Sequence, residues 1–123
     1  MSVESDVYDA ITGDSPLMAL ATGGVWPWPL PDNASFPSIV YMLVSDVPMA
    51  SAKSGSFNSY RVQVSLCATG NSSYEATRQM RDALQNIIDG KSNWQKIITG
   101  PDAYDDTGKF RYLPVDILII QGD

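Results

Sequence analysis

From Tyr60 to Ala68 the chain alternates strictly, with Tyr60, Val62, Val64, Leu66 and Ala68 on one side and Arg61, Gln63, Ser65 and Cys67 on the other. A period of two sends successive side chains to opposite faces, so the segment predicts a strand with one dry face. Downstream the period changes. Ala76, Met80, Ala83, Leu84, Ile87 and Ile88 form one stripe of a 3.6-residue repeat, while Arg78, Arg81, Asp82, Gln85 and Asp89 lie opposite. Ser72 and Glu75 have capping-box spacing just ahead of this helix, and Gly90 offers a left-handed stop. An amphipathic helix of this kind must cover a sheet.

Val3, Val7, Tyr8 and Ile11 also fall at helical spacing, which predicts a helix over residues 3 to 12 closed by Gly13. Ser15-Pro16 has the pattern of an N-cap with proline in the first turn, opening a second short helix through Leu17, Met18 and Leu20 that Gly23-Gly24 ends. Pro27, Pro29, Pro31 and Pro37 then make Val25 to Pro37 an extended, rigid connection. Its Trp26, Trp28 and Phe36 either pack beneath the sheet or are displayed to a partner. Ser38 to Ser45 predicts a strand, residues 46 to 59 a polar loop too long for a tight hairpin, Trp94 to Thr99 a third strand and Gly100 to Gly108 a polar turn. Phe110 to Gln121 completes the set as a fourth strand with Leu113, Val115, Ile117 and Ile119 on its dry face. Leu118 and Ile120 put apolar side chains on the other face as well, which calls for a second helix or another subunit. The expected fold is α+β in the order ααββαββ, an antiparallel four-stranded sheet with helices packed mainly on one face, in one domain over residues 1 to 123.

A chain of 123 residues can bury about 65% of its unfolded surface and needs no staple. Cys67 is the only cysteine, so no intramolecular disulfide is possible, and its strand position predicts an inert, half-buried thiol. The net charge is −6, and Glu4, Asp6, Asp9, Asp14, Asp32 and Asp46 all precede the first basic residue, Lys53. No basic face suited to tight nucleic-acid binding is apparent. Met1 to Ala10 lacks the basic and apolar regions of a secretory signal, and the longest apolar run, Ile39 to Val44, falls far short of the roughly 20 residues of a membrane span, so a soluble protein without membrane association is expected.

Catalytic patterns fail one by one. The chain has no histidine, which removes the usual general base, the Ser-His and Cys-His pairs and the commonest zinc ligand. Gly100 and Gly108-Lys109 are spaced too far apart for a phosphate loop, and Asp102, Asp105 and Asp106 lack the alternate spacing of a calcium loop. Asp106-Thr107-Gly108 matches the triplet of aspartic proteases, but Asp105 and Lys109 flank it as they would an exposed turn. No catalytic residue, cofactor or metal is therefore expected, and assembly or binding is the leading class. A small-molecule-binding or regulatory α+β domain stands as the alternative, with a dimeric aspartic protease behind it.

Several segments, in order, resemble the phage tail completion, or tail terminator, family of long-tailed phages and gene transfer agents. They are Val7-Tyr8-Asp9-Ala10-Ile11, Gly24-Val25-Trp26-Pro27, Leu30-Pro31 and Phe36-Pro37-Ser38-Ile39-Val40-Tyr41, followed by Arg61-Val62-Gln63-Val64-Ser65-Leu66, Ser73-Tyr74-Glu75-Ala76 and Arg81-Asp82-Ala83-Leu84. The last strand, from Tyr112, carries less of the resemblance. The resemblance implies a structural homo-oligomer, a hexameric ring in the virion that caps the tail tube protein and meets the head connector or stopper protein, with DNA passing through without specific binding. It supplies no catalytic residues. Candidate interface residues, read from the chain itself, are Met49, Lys53 and Phe57 in the polar segment and Leu118 and Ile120 on the last strand.

Overall fold

The computed structural model describes residues 2–49, 57–106 and 109–122. Three helices and six strands follow in the order α1 (Val3–Thr12), α2 (Ser15–Leu20), β1 (Val25–Pro27), β2 (Ser38–Met49), β3 (Phe57–Ala68), α3 (Ser73–Asp89), β4 (Trp94–Thr99), β5 (Ala103–Asp105) and β6 (Phe110–Gly122) among the described residues. The fold is α+β as expected, but the sheet is larger than the four strands predicted and is mixed. Its order is β1-β2-β3-β6-β4, with β5 also on β6 and β1 parallel to β2. The two additional strands have three residues each, too short for alternation to register. Pro27 is tolerated in β1 because that strand is an edge, where one side of the backbone needs no partner.

A second correction concerns the central hairpin. Asp46, Val47, Pro48 and Met49 pair with Tyr60, Ser59, Asn58 and Phe57, so both strands run well into the segment expected to be loop. Backbone hydrogen bonding extends the ladder past the compact apolar run of β2 and the strict alternation of β3, and composition alone did not reveal it. Residues 50–56, Lys53 included, lie outside the described residues.

The core lies between the helices and one face of the sheet. Val62, Val64 and Leu66 of β3 and Leu113, Val115, Ile117 and Ile119 of β6 meet Val7 and Ile11 of α1, Leu17 of α2 and Met80, Leu84 and Ile88 of α3, all buried. These are the dry faces that the periodicities assigned. The caps differ from expectation. Asp14, not Ser15, caps α2, its carboxylate accepting from the Leu17 amide at 3.0 Å. Ser72 precedes α3 at φ −93°, ψ 9°, outside the extended conformation of a capping residue, and its hydroxyl makes no capping bond. Gly90 ends α3 at φ −82°, an ordinary right-handed residue and not the left-handed stop expected. Gly23 is required for a different reason. Its amide donates to the Pro37 carbonyl at 2.7 Å, and a Cβ there would fall 2.0 Å from the Ser35 carbonyl oxygen. That close approach fixes the start of the connection against its end.

Candidate assembly surface

The face of the sheet opposite the core carries no helix among the described residues. Registers lay its side chains out in rows: Val40, Ser65 and Pro114; Met42, Gln63, Asp116 and Ile98; Ser45, Arg61, Leu118 and Gln95; Val47, Ser59 and Ile120. Apolar groups thus alternate with a polar centre. Asp116 is buried at 6% exposure, and it is held by its neighbours on β3. The Arg61 Nε donates to Asp116 Oδ2 at 3.0 Å, a second Arg61 nitrogen closes on the same oxygen, and Gln63 Nε2 donates to Oδ1 at 3.2 Å. Arg61 itself stays partly exposed, so the pair presents a guanidinium to whatever meets this face.

One end of the face is roofed by the proline-rich connection. Phe36 stacks on Phe110 at 5.2 Å between ring centres, and Phe110 leans on Tyr112 at 6.0 Å. Trp28, Leu30, Val40, Met42, Cys67 and Tyr112 help enclose a cavity of about 160 Å³ beneath it. Trp26 is half-buried, its indole N–H donating to the Gly23 carbonyl at 3.0 Å. Trp28 is 62% exposed, which makes it the displayed aromatic of the connection.

Of the residues singled out from sequence, Leu118 is half-buried and Ile120 is 39% exposed, with no second helix over either among the described residues. Met49 and Phe57 pair with each other at the far end of the hairpin, away from the roofed end. Cys67 is a free thiol and fully buried, not half-buried as expected, because its side chain lies beneath the roofed end of the face. Burial, with the charge of Asp105 adding to it, pushes this thiol up to about 12. Only the thiolate reacts, and an unfolded thiol titrates near 8.5. Alkylation at pH 8 is therefore expected to be roughly a thousandfold slower in the folded chain than in denaturant, which a thiol-reagent time course would measure. Equal rates would mean that β3 opens freely.

Asp102, weighed as a calcium ligand, is engaged otherwise. Arg111 donates to it at 2.5 Å and also to Ser73 Oγ at 3.1 Å, while Arg78 forms an ion pair with it at 3.3 Å and lies 3.9 Å from the centre of the Tyr74 ring. This cluster ties the start of α3 to the start of β6. No group of three potential ligands close enough for a metal ion occurs among the described residues. Asp106 of the protease-like triplet is exposed, not the buried carboxylate a catalytic dyad needs; Thr107 and Gly108 lie outside the described residues. No helix among the described residues is long and apolar enough to cross a membrane.

The sequence profile of the family described as Tail completion protein gp17 matches residues 5–100. The chain belongs to the tail completion protein family. Membership makes it a structural protein of the phage tail, a virion component. Among solved structures, a chain from the virion of a native gene transfer agent particle aligns with 99% of this chain and 96% of its own length at 13% identity and a TM-score of 0.74, so the two share a fold over nearly their whole length. The gp17 protein of bacteriophage SPP1 aligns over 96% of this chain and 88% of its own at 16% identity and a TM-score of 0.49. No curated protein sequence matches.

Proposed function

We propose that the chain is the subunit of a hexameric ring that ends the tail tube and joins it to the head connector. The observation that carries this reading is the open sheet face. Every helix among the described residues packs on the other side, yet this face presents Met42, Val47, Leu118 and Ile120 around the Arg61–Asp116 ion pair, of which Asp116 is buried and Arg61 partly exposed. An apolar sheet face is stable only when covered, and in a tail completion protein the natural cover is another subunit or the tube. A net charge of −6 suits a channel wall along which DNA slides without adhering. The far end of the hairpin, where Met49 and Phe57 pair, is the part of the chain assigned to docking on the tube or a neighbour, with Lys53 beyond it. Leu118 and Ile120 are assigned to the subunit boundary.

Native mass spectrometry of the 13.4 kDa chain, alone and with purified tail tubes, tests the reading. A hexamer in solution, or a monomer that becomes hexameric on tube ends, is expected. A stable dimer under both conditions would overturn it and return attention to the rival reading that requires one.

A further inference from the structure

The sheet has two free edges, and they match each other. β1 covers β2 only at Ile39, Val40 and Tyr41, so from Met42 onward β2 has β3 on one side and no strand among the described residues on the other. β4 ends the strand order at the opposite side and pairs with β6 alone. Followed across the sheet, the registers set Met42 level with Ile98, Leu43 with Lys96, Ser45 with Gln95 and Asp46 with Trp94. Each edge carries one irregularity, between Leu43 and Ser45 and between Lys96 and Ile98, and the two lie on either side of the level that Leu43 and Lys96 share. Because β2, β3, β6 and β4 alternate in direction, β2 and β4 run oppositely. The β4 of one copy laid beside the β2 of an identically oriented copy is therefore antiparallel, in level and with faces matched.

Chemistry agrees with this geometry. An isolated edge is usually blunted by charge, proline or a bulge. Lys96, Pro48 and the two irregularities are such features, yet large apolar groups remain exposed beside them, Val44 and Val47 on β2 and Ile97 and Ile98 on β4. Where β1 stops, a groove of about 210 Å³ opens beside β2, lined by Glu4, Pro27, Trp28, Tyr41, Met42 and Leu43. Lys96 pairs with Ile117 on the helix side of the sheet and stands level with Leu43. In the joined arrangement it enters this groove toward the Glu4 carboxylate.

Resting on the ring reading above, we propose that copies join edge to edge, β4 of one pairing with the 42–46 stretch of the next. Such a head-to-tail contact uses two different surfaces per copy, which is the requirement for a closed ring larger than a dimer.

Cysteines introduced together as Ser45→Cys and Gln95→Cys, which share the open face, test the contact under mild oxidation; buried Cys67 does not compete. A ladder of disulfide-linked species ending at the native ring size is expected from the double variant and none from either single variant. As a second measurement, Glu4→Lys or Lys96→Glu alone is expected to weaken assembly by about tenfold or more, and the two together to restore it. A ring that forms normally, gives no ladder and is indifferent to both charge reversals would overturn the edge contact while leaving the ring reading intact. A wild-type chain that forms no ring, alone or on tubes, would remove the ring reading and the edge contact with it.

Discussion

Leu84→Asp is expected to abolish folding. Leu84 is fully buried and belongs to the same core as Val64 of β3. Deleting a buried leucine side chain costs about 2 to 5 kcal/mol. A carboxylate at the same point adds the cost of burying a charge without a partner, several kcal/mol more, and the charge can escape only by protonating or by opening the core. Together these approach the whole of a domain's stability, about 5 to 15 kcal/mol. The control is Gln79→Asp on the exposed side of the same helix, where the same charge enters water and the fold should survive. Circular dichroism melts of both variants decide the matter. A soluble, cooperatively melting Leu84→Asp protein would show that α3 turns a different face to the sheet.

That prediction could be written from the sequence because α3 and the Tyr60–Ala68 part of β3 each obey a single period. Met80, Leu84 and Ile88 of α3 and Val62, Val64 and Leu66 of β3 are all buried, and the dry face of β6 follows the same rule. Legibility ended where backbone, not side chain, decides the element. β1 and β5 are three residues long and exist because a neighbouring ladder offers partners. The outer part of the hairpin, 46–49 with 57–59, is strand for the same reason, although Asp46, Pro48 and Asn58 are poor strand formers. Caps failed on a finer scale: Ser72 has the right chemistry in the wrong conformation, and Asp14, one residue before the expected cap, has both.

The candidate surface was legible in half. Leu118 and Ile120 stood out because apolar groups on both faces of one strand demand two covers. The ion pair at the centre of that face did not stand out, since Arg61 and Asp116 are 55 positions apart in the chain and only β3–β6 register brings them together. A single acidic residue inside the apolar run Leu113 to Ile120 was the available signal. A charge at that place needs a partner on the adjacent strand, and Arg61 was the charged residue on the polar side of the best-defined strand. The matching of the two sheet edges was out of reach of sequence altogether, because it depends on three registers and two irregularities at once.

Ile120→Asp is expected to leave a folded monomer that no longer forms rings. Ile120 is 39% exposed, and its backbone is held independently of its side chain, the amide donating to the Asn93 carbonyl at 3.1 Å and the carbonyl accepting from Asn93 Nδ2 at 3.0 Å. Aspartate is a poor strand former, so the monomer should lose about 1 kcal/mol or less. Those bonds to Asn93 place Ile120 beside the start of β4, next to the edge assigned to the neighbouring copy. In the ring the new carboxylate would be stripped of water with no cation assigned to it, costing roughly 3 kcal/mol or more at each subunit contact. Since about 1.4 kcal/mol is a factor of ten in affinity, each contact weakens by about a hundredfold or more, and a closed ring depends on all of its contacts at once. Native mass spectrometry beside a thermal melt separates the two effects. A normal melt with loss of the ring is the expected pair of results, and a ring that persists with aspartate at this position would place residue 120 outside the subunit boundary.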